Sequence, residues 1–108
     1  MRLKSAIWVA ALLRRCQSEG KFGAVLRKGA EEAGAVFVVI NHLDETYDLL
    51  GPPPGSAHDD EGTRVFEKLT AAPISWPEID TKLKKQASFD SDIWAVEIED
   101  KKGLAGLS

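Results

Sequence analysis

A single cysteine, Cys16, stands in 108 residues, which excludes an internal disulfide and a zinc site built from cysteines. Long apolar runs are missing as well. Residues 6–13 are apolar without a break, but a bilayer-spanning helix needs about 20 such residues. The same run after Arg2 and Lys4 imitates a short signal peptide. Against that reading, Arg14-Arg15 follows at once and no small-x-small cleavage site comes after. Arginine before Cys16 spoils a lipoprotein-type site, and a twin-arginine signal would carry its pair ahead of the run. The expectation is a mature cytoplasmic protein with no membrane contact. Residues 29–34 lack the lysine, serine or threonine of a phosphate loop and the spacing of a dinucleotide loop. His58-Asp59-Asp60-Glu61 lacks the alternating ligands and turn glycine of a calcium loop, so no metal is expected there. No internal repeat is present.

What the chain has is the composition of one globular domain over 1–108, with 44% apolar and 29% charged residues. The net charge of −3 argues against a general nucleic-acid binder. Its distribution is uneven: residues 1–29 hold seven basic residues against Glu19 alone, while the rest holds seven basic and sixteen acidic. Such asymmetry marks either a basic binding face or two halves that pair in the fold.

The C-terminal stretch is the most informative. Trp94, Val96 and Ile98 alternate with Ala95, Glu97 and Glu99 at the two-residue period of a strand, which makes one face apolar and the other acidic. A first helix is predicted over residues 5–19, with Ser5 as its cap and Gly20 ending it. Strands follow over 22–27, 35–41 and 46–50, suggesting an antiparallel meander. Residues 35–41 are apolar on both faces, as in a central strand covered from both sides. The proline-rich stretch 51–62 is a loop, and 64–70 reads as a fourth strand. Ser75-Trp76-Pro77-Glu78 fits a capping box with Ile74 and Ile79 as a hydrophobic staple, opening a second helix over 76–88. Trp76, Ile79, Leu83 and Ala87 share one of its faces. The fold class expected is α/β of the α+β kind. It is a mixed, largely antiparallel sheet of about five strands with two helices, in the order α-β-β-β-β-α-β.

Few residues suggest chemistry. Cys16 with His42 or His58 would make a nucleophile and base, but it lies on the apolar side of the first helix with Val9, Leu12 and Leu13, where an inert thiol is expected. Glu97, Glu99 and Asp100 suit either a cation clamp or a charged row facing water. Arg15 ends the first helix and Arg27 the following strand, so a turn through Gly20 could bring them together around an anion, with Arg14 beside them and Glu97 as an acidic counterpart. Trp8 and Trp94 are the aromatic type enriched at interface hot spots.

The blocks Arg2-Leu3-Lys4-Ser5, Ile7-Trp8-Val9, Leu13-Arg14-Arg15-Cys16, Arg27-Lys28-Gly29, Leu49-Leu50-Gly51-Pro52 and Trp94-Ala95-Val96-Glu97-Ile98-Glu99-Asp100 occur in that order. Together they resemble a family found in Alphaproteobacteria and known as domain of unknown function 1491. The resemblance covers nearly the full chain. It implies one α/β domain in a bacterial cytoplasm and brings no activity, cofactor or catalytic residue. Two readings of function follow from the residues. One is a non-enzymatic interaction module that self-associates as a homodimer, because the apolar surplus of 7–13 exceeds what one sheet face covers. Another protein partner fits the same reading. The other is a small-molecule or anion-binding domain, or an enzyme built on one, using Arg14, Arg15, Arg27 and Glu97. No cofactor is expected under either.

Overall fold

A computed structural model describes residues 3–53 and 64–107. The elements are α1 (Ser5–Ser18), β1 (Gly23–Arg27), β2 (Val36–Asn41), β3 (Tyr47–Gly51), β4 (Glu67–Lys68), α2 (Trp76–Phe89) and β5 (Trp94–Glu99). Among the described residues, two helices and a five-stranded mixed sheet give the α+β class in the expected order. The strands lie β1-β5-β2-β3-β4, with only the β2–β5 pair parallel.

The expected meander holds from β2 onward but not for β1. The last strand inserts between β1 and β2, and in that central place Trp94, Val96 and Ile98 are buried under α1. The loop at residues 29–34 makes room for it. A Cβ on Gly29 would come within 2.2 Å of the Asp92 carbonyl oxygen, and one on Gly34 within 2.3 Å of the same atom. Only glycine permits that approach. Gly29→Ala should therefore destabilise the fold by about 1–3 kcal/mol, the range for overpacking. A denaturant melt matching wild type would show that the loop can move away.

The helices cover opposite faces. Val9, Leu12 and Cys16 of α1 pack on Val36, Val38, Ile40, Trp94, Val96 and Ile98. Ile79, Leu83 and Ala87 of α2 pack with Phe37, Val39 and Leu49. The two-sided apolar pattern of β2 thus reflects real cover on both faces. β4 is shorter than the predicted strand, reduced to Glu67–Lys68.

Ser5 is not the cap of α1. Lys4 stands there without a side-chain bond, and Ser5 is the first helical residue. The leading donors are satisfied across the fold instead: the Ser5 and Ala6 N–H groups donate to the Glu32 and Glu31 carbonyls at 2.9 Å. The Ser5 hydroxyl donates to the Gly34 carbonyl at 2.5 Å. At the other end Gly20 takes φ +77°, as expected for a glycine stop. At α2 the Ser75 hydroxyl donates to the Glu78 carboxylate at 3.0 Å, so the two capping-box side chains bond each other and not the backbone.

The apolar run of α1 is mostly covered within the chain. Val9 and Leu12 face the sheet, Trp8 stacks on Phe66 with centroids 5.3 Å apart, and Leu13 lies against Gly23. Ile7 is 53% exposed. The surplus is smaller than the sequence suggests, and the exposed apolar surface lies largely elsewhere.

Candidate functional site

On the α2 face, among the described residues, the end of the sheet formed by β1 and β5 carries no helix directly over it. A groove of about 270 Å³ opens there, between α2 and the edge strand. Its apolar lining comes from Leu26 of β1, Ala95 of β5, and Leu83 and Ala87 of α2, with the Trp76 indole as a wall. Trp76 leans on Tyr47, ring centroids 5.5 Å apart at 60°. Arg27, Asp80 and Lys84 complete the lining.

A local irregularity builds this site. The β1–β5 register shifts between Val25 and Arg27. Consecutive strand residues normally face opposite ways, and a bulge breaks that alternation. Leu26 and Arg27, though adjacent, therefore both line the groove. The Arg27 guanidinium is steadied by donation from Nη2 to the Ser91 carbonyl at 2.9 Å. Lys84 is paired with Asp80 at 2.9 Å, which leaves Arg27 as the groove's uncompensated cation among the described residues.

Among the described residues, β1 is also a free edge. The Phe22 carbonyl accepts from the Glu99 N–H at 2.9 Å. Antiparallel alternation then turns the N–H and C=O groups of Gly23 and Val25 away from β5 and outward. Phe22, Val25 and Leu26 are 63%, 43% and 41% exposed beside them.

A second polar cluster lies near the far end of the sheet. Asp48 accepts from the Thr70 hydroxyl through Oδ1, and its Oδ2 meets His42 Nε2 at 2.9 Å. His42 Nδ1 lies 3.1 Å from the Asp100 carbonyl. Both ring nitrogens thus face oxygen atoms. Burial pushes the Asp48 carboxyl up, but bonds from Thr70 and His42 outweigh it and hold the group below the ordinary value. Burial likewise raises Asp100, and the backbone N–H groups of Ala105, Lys102 and Gly103 with the Lys21 charge bring it below the ordinary value. That carboxylate folds the C-terminal tail back so that Leu104, Ala105 and Leu107 pack on the α1-side core. Every member of this cluster already has a hydrogen-bond partner.

The arginines expected to converge do not. Arg15 faces the α1 side, where Nη2 donates to the Ala105 carbonyl, while Arg27 is on the α2 side. Arg14 is exposed on α1. Glu97 is half-buried and accepts from Asn41 Nδ2 at 2.9 Å. Trp94 is 5% exposed and donates from Nε1 to the Ala30 carbonyl at 2.8 Å, while Trp8 is half-buried beneath the Arg64 guanidinium, 5.6 Å from its ring centroid. Cys16 is fully buried, and burial raises its thiol pKa against the opposing pull of Arg15. His58, Asp59, Asp60 and Glu61 lie outside the described residues. Sequence reasoning found the face of α2 carrying Trp76, Leu83 and Ala87. It missed that β1 and β5 complete a groove with it, since the bulge and the strand order leave no local signal. Among the described residues no group of three metal-ligating side chains converges, and no helix is long and apolar enough to cross a membrane.

The family "Protein of unknown function (DUF1491)" matches residues 3–108. The chain is 44% identical to protein Atu0922 from A. tumefaciens, whose solution structure superposes with a TM-score of 0.84 over 99% of this chain and 92% of that one. The crystal structure of a DUF1491 family protein from Caulobacter crescentus CB15 is 36% identical, with a TM-score of 0.77 over 95% of this chain and 92% of that one. The NMR structure of a DUF1491 family protein from the same organism gives 36% and 0.77 over 100% and 94%. No match was found among curated proteins.

Proposed function

The chain belongs to the DUF1491 family, a membership that brings a fold and no reaction, and from the geometry we propose a non-enzymatic interaction module, a cytoplasmic homodimer joined through the free edge of β1. The carrying observation is that edge: outward backbone groups at Gly23 and Val25 flanked by exposed Phe22, Val25 and Leu26. Edge strands of proteins that stay monomeric are usually blunted by charge, proline or cover. Here the strand reads Gly-Ala-Val-Leu before its first charge at Arg27. Antiparallel pairing centred on Val25 sets residues 23–25 of the two copies against each other, and the bulge carries Arg27 to the α2 face, so no like charges meet at the centre of the new ladder. The five-stranded sheet then continues through the two-fold axis. The buried reduced thiol of Cys16 is in keeping with a cytosolic setting.

Sedimentation equilibrium at micromolar concentration should give a dimer. Val25→Lys should shift it to monomer without lowering the melting temperature, because that side chain is half exposed, while Ile7→Lys on α1 should leave the dimer intact. A monomer mass for the wild type, or a dimer indifferent to Val25→Lys, would sink this assignment. A monomer that captures an unrelated strand-forming partner would keep the edge as an interface and end the homodimer.

A further inference from the structure

The groove does not depend on edge pairing, and we propose that it binds a small carboxylate with a ring-sized apolar body. Its volume of about 270 Å³ decides the size class. A dry cavity of about 150 Å³ holds a benzene ring, so this groove accommodates a ring with a short side chain. It falls below the range of about 300–1,000 Å³ that takes drug-sized ligands. The lining decides the chemistry of the body: Leu26, Leu83, Ala87 and Ala95 offer no polar side-chain atoms, and the exposed Trp76 indole adds an aromatic wall.

Charge decides the head group. Asp80 neutralises Lys84, so the net positive charge at the groove belongs to Arg27. One of its five N–H donors is spent on the Ser91 carbonyl. The others remain for an acceptor, and a planar guanidinium engages a carboxylate through two parallel bonds. The Ser91 contact lowers the entropy lost on capture, because the head is already held. A free aromatic acid and the C-terminal residue of a peptide share this chemistry.

The test is a ¹H–¹⁵N NMR titration that follows the Trp76 indole N–H, identified by its loss in Trp76→Phe, with calorimetry alongside. The probes are 3-phenylpropanoate, its amide, and an acetylated Gly-Gly-Phe peptide with a free or an amidated C-terminus. Both acids or either one should shift Trp76, with the corresponding amide at least tenfold weaker. Tighter binding of the peptide assigns the source as a chain terminus, and tighter binding of the free acid assigns a metabolite. Arg27→Gln, an exposed change expected to leave the melt unaltered, should weaken the acid at least tenfold. Ala87→Phe should fill the groove and abolish the shift. Running the series on Val25→Lys keeps the outcome separate from dimerisation. No Trp76 shift at millimolar acid, amides that bind as well as acids, or Arg27→Gln that binds as well as wild type would each overturn the assignment.

Discussion

Replacing Trp94 by alanine should cost about 3–5 kcal/mol, the range for deleting a large buried ring. Trp94 is 5% exposed at the start of β5, within the cluster formed with Val9, Leu12 and Val36. Two losses combine. The cavity opens beneath α1, and the Ala30 carbonyl loses the indole donor that reaches it at 2.8 Å. That bond ties the loop at residues 29–34 to the sheet, and the same loop supplies carbonyls to the first turn of α1. The loss should therefore spread beyond the ring itself. Trp94→Phe should recover part of the packing but not the hydrogen bond, falling between alanine and wild type. On the opposite face of the same strand, Glu99→Gln should stay within about ±0.5 kcal/mol, as for surface positions. Denaturant melts at fixed pH decide it. Equal small effects at Trp94 and Glu99 would mean that the closing strand contributes little to either face.

What the sequence conveyed follows from which signals are local. The two-residue period of residues 94–99 and the two-sided apolar run of 36–41 report burial directly, so both strands and their cover were legible. The glycine stop at Gly20 and the apolar face of α2 are likewise short-range. Strand order is not local. Nothing within β1 says that its neighbour is β5 and not β2. The clue is the pair of glycines at 29 and 34, which reads as a simple turn until Asp92 and Ile93 are seen pressed against Gly29. The cap of α1 failed for a related reason. Ser5 has the right chemistry for a cap, but the carbonyls of Glu31 and Glu32 satisfy the leading donors, and its hydroxyl serves Gly34 instead.

The candidate site divides along the same line. Arg27 was legible as a cation at a strand end, and Trp76, Leu83 and Ala87 as one helical face. Their meeting was not, because it needs the bulge at Leu26 and a sheet end that no helix covers directly. Arg15 and Arg27 are separated by the sheet itself. A turn through Gly20 reverses the chain, yet it also takes β1 into a layer of which α1 covers only one side.

Asp48→Ala should cost about 1–3 kcal/mol at neutral pH, the range for leaving buried hydrogen-bond partners unpaired. Asp48 is 3% exposed, and its removal strands both the Thr70 hydroxyl and a His42 side chain that is 13% exposed. His42 retains a little water, which moderates the loss. The dependence on pH has a definite sign. The folded Asp48 carboxyl sits below its ordinary value, because bonds from Thr70 and His42 overcome the effect of burial. A carboxyl with a depressed folded pKa adds stability that is fully present above the unfolded value near about 3.9, and that stability is lost as pH falls through the folded pKa. Asp100 is shifted in the same direction by the tail N–H groups it accepts. Stability should therefore fall on acidification below about pH 4. Asp48→Asn should flatten that fall, and Asp48→Asn with Asp100→Asn should flatten it further. Melts from pH 7 to pH 2 on the three proteins would show it. An acid limb that keeps its wild-type slope in the double variant would place the controlling carboxylates elsewhere.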